Sequence, residues 1–309
     1  MNRRTAGMLL TVSGGVCWGL SGSMGQYMFS NLGMDSKWLV PIRLGFAGIL
    51  MLIYCFARYG KETLKPWTNR TEAIELLLYG LPGVALCQFT YFLTIQLSTA
   101  SVGTIMQDLS PVFIMAAICL KNKRKPSVRE VVAILLALVG VMLVSTHGDP
   151  SNLSANSTAL ISGVICAFCV MIYNVVPVHI IKKYPVSIMQ AWSFAMGGAL
   201  LTLIFRSWRI YYVPDIRGLA GIAFVVVIGN VLAFTAYMKG VSYIGPEKGI
   251  LYGFAEPLTA AVIGVIFFRN PFTAADAAGF ICIFTMLFLI TKARTKAKVK
   301  TDQALKRAA

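Results

Sequence analysis

The sequence predicts an all-α, polytopic membrane protein of ten transmembrane helices, built from two inverted five-helix repeats. Three observations predict it. Of 309 residues, 57% are hydrophobic and only 13% are charged, about half the charged fraction of an ordinary soluble chain. Apolar stretches long enough to cross a bilayer, about 20 residues each, recur along almost the whole chain. The two halves also match each other at a nearly constant offset. A soluble fold leaves one polar face of each core element in water, and so has no use for a chain this apolar.

The stretches run over residues 6–29, 38–57, 74–95, 101–120, 128–146, 158–180, 186–205, 216–238, 246–268 and 273–291. The first follows Arg3 and Arg4 but is longer than the roughly 7–15-residue core of a signal peptide and lacks a small-residue cleavage site, so a retained span is expected. The connectors are short except for the basic segment 58–73, the polar segment 147–157 and the basic tail 292–309. None is long enough for a soluble domain. The cysteines (Cys17, Cys55, Cys87, Cys119, Cys166, Cys169, Cys282) all lie inside apolar runs without metal-ligand spacing. They are read as packing residues, and neither a metal nor a cofactor is expected.

The formal charge of +16 would point to nucleic acid in a soluble protein. Placed on the ten stretches with the N-terminus cytoplasmic, 22 of the 28 basic residues fall on one side. Lys37, Arg206, Arg209, Arg217 and Arg269 fall on the other, and Arg43 lies within the second stretch. Cytoplasmic loops retain positive charge, so both termini are expected in the cytoplasm of a cell (cytoplasmic) membrane protein. The charge is then a topology signal, with no nucleic-acid partner. The three arginines between stretches seven and eight are the local exception, partly offset by Asp215.

Residues 111–146 align with 257–292 at an offset of 146, pairing Pro111 with Pro257, Ser127 with Thr273 and Glu130 with Asp276. The last two pairs form capping boxes that open stretches five and ten. Phe89-Thr90 matches Phe234-Thr235 at 145, and Gly14, Cys17 and Gly48 match Gly163, Cys166 and Gly197 at 149. The expected units are therefore 1–150, 151–292 and a tail, 293–309. Five spans per unit is an odd number, so the second unit enters the membrane from the opposite side. Inverted repeats are the signature of secondary transporters, with the site near the midplane between the repeats.

Charges at mid-membrane cost about 2.5–3.5 kcal/mol each on insertion scales. Asp108 and Glu256 lie near the centres of stretches four and nine and are candidates for substrate binding or proton coupling; the alternative is a buried acid that ties helices together. Arg43 lies nearer the outer end of its stretch, where snorkelling is available. Pro111 and Pro257 follow the acids and deprive the Gln107 and Gly253 carbonyls of their usual donors, a backbone pointer to a site. Gln88 and Tyr91, Asn230 and Tyr237, Tyr252 and Glu256 recur at helical spacing. With Trp18, Gln107 and Asn174 they complete a candidate polar and aromatic lining for a small organic solute. Gly15 and Gly19 form a GxxxG pair, and Gly245, Gly249 and Gly253 repeat that spacing into stretch nine, which predicts close helix contacts. His147 and His179 are expected at the interfaces, without a metal role.

The segments 101–144, with Leu109-Ser110-Pro111-Val112-Phe113, and 245–290, with Glu256-Pro257-Leu258, together with Ile42-Arg43-Leu44, resemble the EamA family of the drug/metabolite transporter superfamily. The resemblance spans essentially the whole chain. It implies ten helices in two five-helix units and an exporter of small organic metabolites such as amino acids. The family's acidic residue before the last helix-connecting loop has no counterpart in Leu120-Lys121-Asn122-Lys123 or Phe268-Arg269-Asn270. Asp108 stands where the family has a small or apolar residue. The alternatives are a nucleotide-sugar or organophosphate carrier of the same superfamily, an integral-membrane enzyme, and a receptor or scaffold. An enzyme would need a converging nucleophile–base or metal set, but the two histidines fall at opposite faces. A receptor usually carries a soluble domain. The partners expected are a small solute, the bilayer and, through Asp108 or Glu256, protons; no oligomeric state is implied.

Overall fold

The computed structural model describes residues 3–149, 157–176, 179–245, 249 and 252–289. The expected tail 293–309, and parts of the 147–157 connector and of the ninth stretch, lie outside the described residues. Among the described residues all regular structure is helical. The helices are α1 (Arg3–Ser30), α2 (Ser36–Tyr59), α3 (Arg70–Leu97), α4 (Ala100–Lys121), α5 (Val128–Thr146), α6 (Ser157–Val175), α7 (Val186–Phe205), α8 (Ile216–Ile244), α9 (Ala255–Phe268) and α10 (Ala274–Leu289). Six of them, α2, α3, α4, α6, α7 and α8, are long and apolar enough to cross a membrane by themselves, and α9 and α10 are shorter apolar helices. α1 has the length, but its glycines and serines lower its mean hydropathy.

Those small residues give α1 its place. Gly7 and Gly14 press on α8, Gly15 and Gly19 on α9, and Gly22 and Gly25 on Tyr91 and Phe92 of α3. A Cβ at Gly19 would stand 2.6 Å from the Glu256 carbonyl oxygen, so α1 can touch all three helices only while it carries no side chain there. Large apolar side chains remain exposed on the outside, among them Phe46, Ile53, Leu138, Leu203 and Phe267. A surface of this kind is covered by lipid tails rather than water.

The packing follows the internal repeat. α2 packs along α7, α1 packs on α8 and α9, and α6 packs on α3 and α4, so each contact has its counterpart when α1 is exchanged for α6. The twins α2 and α7 run antiparallel. Ser207, just past the end of α7, donates to the Lys37 carbonyl at the start of α2, while Trp192 near the start of α7 donates to Thr63 beyond the end of α2. This is the inverted geometry expected from an odd number of spans. Both predicted capping boxes form: Glu130 accepts from the Ser127 amide and Asp276 from the Thr273 amide, each at 2.7 Å.

Both repeats interrupt their helices at matching places. α3 widens into a π turn at Tyr79–Ala85, and α8 does so at Val225–Leu232, 146 residues on. Pro82 explains the first, since it has no N–H for an ordinary i→i−4 bond; nothing in the α8 sequence explains the second. The sequence places each paired proline inside a continuous apolar stretch, with the Gln107 and Gly253 carbonyls freed, whereas the structure interrupts the helix just before each proline. The first half of α4 stops at Gln107 and the second starts at Ser110, with Pro111 in its first turn; α9 begins at Ala255 with Pro257 in its first turn. A proline is unstrained there because the first-turn N–H has no helical acceptor. The glycine stripe also divides differently from the expectation. Gly245 has φ 86° and ends α8, the left-handed region that favours glycine, while Gly249 and Gly253 face Val241 and Tyr237 of α8.

The two ends of the bundle are closed by different chemistry. At the end holding the start of α3, Glu72 accepts from Lys183 and Tyr184, and Glu75 pairs with His179 at 2.6 Å. The neighbouring Glu72 carboxylate holds the Lys183 ammonium above its ordinary pKa. At the opposite end Gly218 and Gly221 of α8 pack on the side chains of Met34 and Met28. By the repeat offsets, Gly218 is the twin of Glu72 and Met34 the twin of Lys183. The same contact is thus ionic at one end and apolar at the other.

Candidate functional site

The interrupted helices surround a polar cluster drawn from both repeats. Arg43 of α2 is 2% exposed and does not snorkel outward as its position in sequence allowed. Its Nη2 donates to Gln88 Oε1 at 3.2 Å and to Asn230 Oδ1 at 2.5 Å, and its Cζ lies 4.0 Å from the centre of the Phe92 ring. The α2–α7 seam on one side and α3 and α8 on the other leave this side chain no route to the surface. Amide oxygens and an aromatic face carry part of the charge, but no carboxylate lies within ion-pair distance among the described residues.

One tyrosine links this group to the acids. Tyr91, adjacent to Phe92 and one turn beyond Gln88, donates to Glu256 Oε1 at 3.2 Å. Asp108 lies at the break in α4 and is within electrostatic reach of Glu256; its Oδ2 is buried without a hydrogen-bond partner. Trp18 and Tyr237 stack at 4.8 Å between ring centres, and Tyr237 is in turn within reach of both acids. Gln107 accepts a weak bond from Cys166, whose sulfur is 3.6 Å from that of Cys87. Trp18, Gln88, Gln107, Asp108, Tyr237, Tyr252 and Glu256 are each only half-buried.

The cluster therefore gathers Trp18, Arg43, Gln88, Tyr91, Gln107, Asp108, Asn230, Tyr237 and Glu256. Asn174 stands apart: it is exposed and spends its amide on the Val170 carbonyl of its own helix. Tyr252, one turn before Glu256, is half-buried. Phe92 is the neighbour that sequence reasoning missed; its adjacency to Tyr91 in α3 was the available signal, but an apolar side chain in an apolar helix does not stand out. His147 pairs with Asp276 at 2.9 Å and His179 with Glu75, at opposite ends of the bundle. Among the described residues no group of three or more His, Cys, Asp or Glu could hold a metal ion. A separate recess of about 310 Å³ lies near His147, lined by Leu97, Ser98, Thr99, Val102, Ala159 and Leu160, and contains none of the cluster residues.

Lipid-facing helices, two inverted repeats and a buried polar cluster where their interrupted helices meet define a multi-pass membrane transporter. The chain belongs to the EamA-like transporter family, whose model matches residues 5–146 and again 157–292. It is 33% identical over 291 residues to YicL of Salmonella typhimurium, described as an uncharacterized inner membrane transporter, covering 94% of this chain and 97% of that one. It is 23% identical over 216 residues to the uncharacterized transporter YwfM of Bacillus subtilis, covering 70% and 72%. A solved crystal structure superposes with a TM-score of 0.65 at 15% identity, over 95% of this chain and 99% of the other. That likeness establishes a shared fold.

Proposed function

We propose that this chain is a secondary transporter that exports a small organic metabolite such as an amino acid across the cytoplasmic membrane. The units 1–150 and 151–292 rock about the midplane cluster, and both termini face the cytoplasm. The observation that carries this reading is the cluster itself: polar and charged side chains from both repeats meet where the twin helices α4 and α9 are interrupted, the arrangement in which alternating access exposes one site to each side in turn. The basic residues on one side support the orientation. Asp108 and Glu256 are the proton-coupling candidates, and Pro111 and Pro257, with the glycines of α1 and Gly249 and Gly253, are the places where the helices yield. An organophosphate carrier is the second reading, favoured by the unpaired Arg43; but a phosphate group usually gathers several cations, and the cluster offers only this one.

Untargeted comparison of metabolites in culture supernatants, with and without overexpression, is expected to show one or a few solutes accumulating outside. An unchanged supernatant would remove the exporter reading. Transport of that solute by purified protein in liposomes, with and without a pH gradient, then tests coupling. If Asp108→Asn and Glu256→Gln both keep gradient dependence, neither acid carries the proton.

A further inference from the structure

The helix packing repeats between the two halves, but the charges in its centre do not. By the repeat offsets the twin of Arg43 is Trp192, that of Glu256 is Ser110 and that of Asp108 is Phe254. Groups that merely tie helices together have no reason to break the symmetry in all three places. The charges also fail to neutralise one another. Arg43 spends Nη2 on two amides and leaves Nε and Nη1 without acceptors, and Asp108 Oδ2 has no donor. Neither acid forms an ion pair among the described residues. Burying a guanidinium without an anion, or a carboxylate without a cation, is the costly arrangement in a medium of low dielectric. Here the unpaired cation and the unpaired acids stand on either side of one tyrosine, with Tyr91 bonded to Glu256 and its neighbour Phe92 under Arg43.

We propose that the cluster is a two-pole site for a small zwitterion: the solute's carboxylate meets the free N–H groups of Arg43, and its ammonium meets Glu256 and Asp108. This rests on the carrier reading above and narrows it. Each pole supplies what the other lacks, so the solute completes two ion pairs that the empty protein holds apart. Asn230, through Arg43, is a positioning residue. Tyr237, within reach of both acids, and Trp18 stacked on it form the wall along which the solute's side chain lies. A solute with only one of the two charges would leave one pole unpaired, and an unpaired buried group discriminates more strongly than a missing apolar contact.

The test titrates the purified full-length protein with the proteinogenic L-amino acids and follows its thermal stability. Each amino acid that stabilises the protein is compared with its carboxamide and its N-acetyl derivative. The wild type is expected to bind both blocked forms at least about tenfold more weakly, the loss of one charge-assisted pair. Arg43→Gln should bind acid and carboxamide alike, Arg43→Lys should restore part of the preference, and Glu256→Gln should lose discrimination against the N-acetyl form. Equal binding of free and blocked forms by the wild type overturns the proposal without any variant having to fold, and so does stabilisation by no amino acid. Export of a solute that lacks either charge would remove the two poles and leave the carrier standing. Export of no solute would remove the carrier itself.

Discussion

Adding one methyl group at Gly48 tests whether the α2–α7 seam is as tight as its glycines imply. A Cβ there would lie 2.3 Å from the Ala195 amide nitrogen and 2.6 Å from its Cα, where ordinary contact begins near 3.4 Å. The obstacle is backbone, so no rotamer change relieves it, and the seam has to open by about 1.1 Å at that point. A gap of roughly 0.5–1 Å forfeits a quarter to a half of each dispersion contact it spans, and this seam is one of the two most extensive interhelical contacts among the described residues. Overpacking costs about 1–3 kcal/mol, and the upper half of that range is expected for Gly48→Ala. Gly45 provides the control. It lies on the same helix and a Cβ there meets nothing within 4 Å, so Gly45→Ala should be neutral or stabilising by up to about 1 kcal/mol through helix propensity. Thermal unfolding of both variants in the same detergent decides it. Equal melting of the two, or a Gly48→Ala protein as stable as wild type, would refute the close-packed seam.

Three further outcomes follow from contacts elsewhere. Thr94 and Ser162, 2.6 Å apart and buried between α3 and α6, should make Thr94→Val less stable by about 1 kcal/mol in the same unfolding assay. Gly22→Ala would place a Cβ 2.7 Å from the Tyr91 hydroxyl, a movable group; transport should fall as that hydroxyl leaves Glu256, while the stability cost stays at the low end of the overpacking range, about 1 kcal/mol. Glu72→Gln should weaken the contact to Lys183 and increase labelling of a cysteine placed at that end. The pH dependence has a definite sign. Because Glu72 raises the Lys183 pKa, the wild-type contact is fully present below the ordinary lysine pKa and is lost as pH rises through the raised value; the variant should lack that alkaline step.

Much of the fold was legible because a membrane imposes one rule: backbone polar groups must be satisfied within the segment. Length and apolarity therefore located helices, and the capping boxes at Ser127 and Thr273 marked two starts. α1 shows the weakness of apolarity alone, since the residues that bring it against three helices are the ones that lower its hydropathy. The site was legible in part. Asp108, Glu256 and Arg43 stood out as charges in apolar runs, and helical spacing nominated Tyr91, Asn230 and Tyr237. Which of these meet is a tertiary fact. Helical spacing could not show that Asn174 turns back on its own helix, nor that Arg43 finds two amides from helices far away in sequence. The π turns were invisible too, because only α3 carries a proline to signal one.

The unlike twins Glu72–Lys183 and Gly218–Met34 give the two ends of the bundle different thermodynamics. Opening the ionic end separates ions whose cations water already reaches, so its equilibrium should shift with ionic strength, as exposed pairs do when salt screens them. Opening the glycine–methionine end exposes apolar surface, which adds heat capacity and makes that step curve with temperature while remaining nearly indifferent to salt. A carrier with two equal ends would respond equally in both directions. In this one, cooling and salt become separate handles on the two halves of the transport cycle.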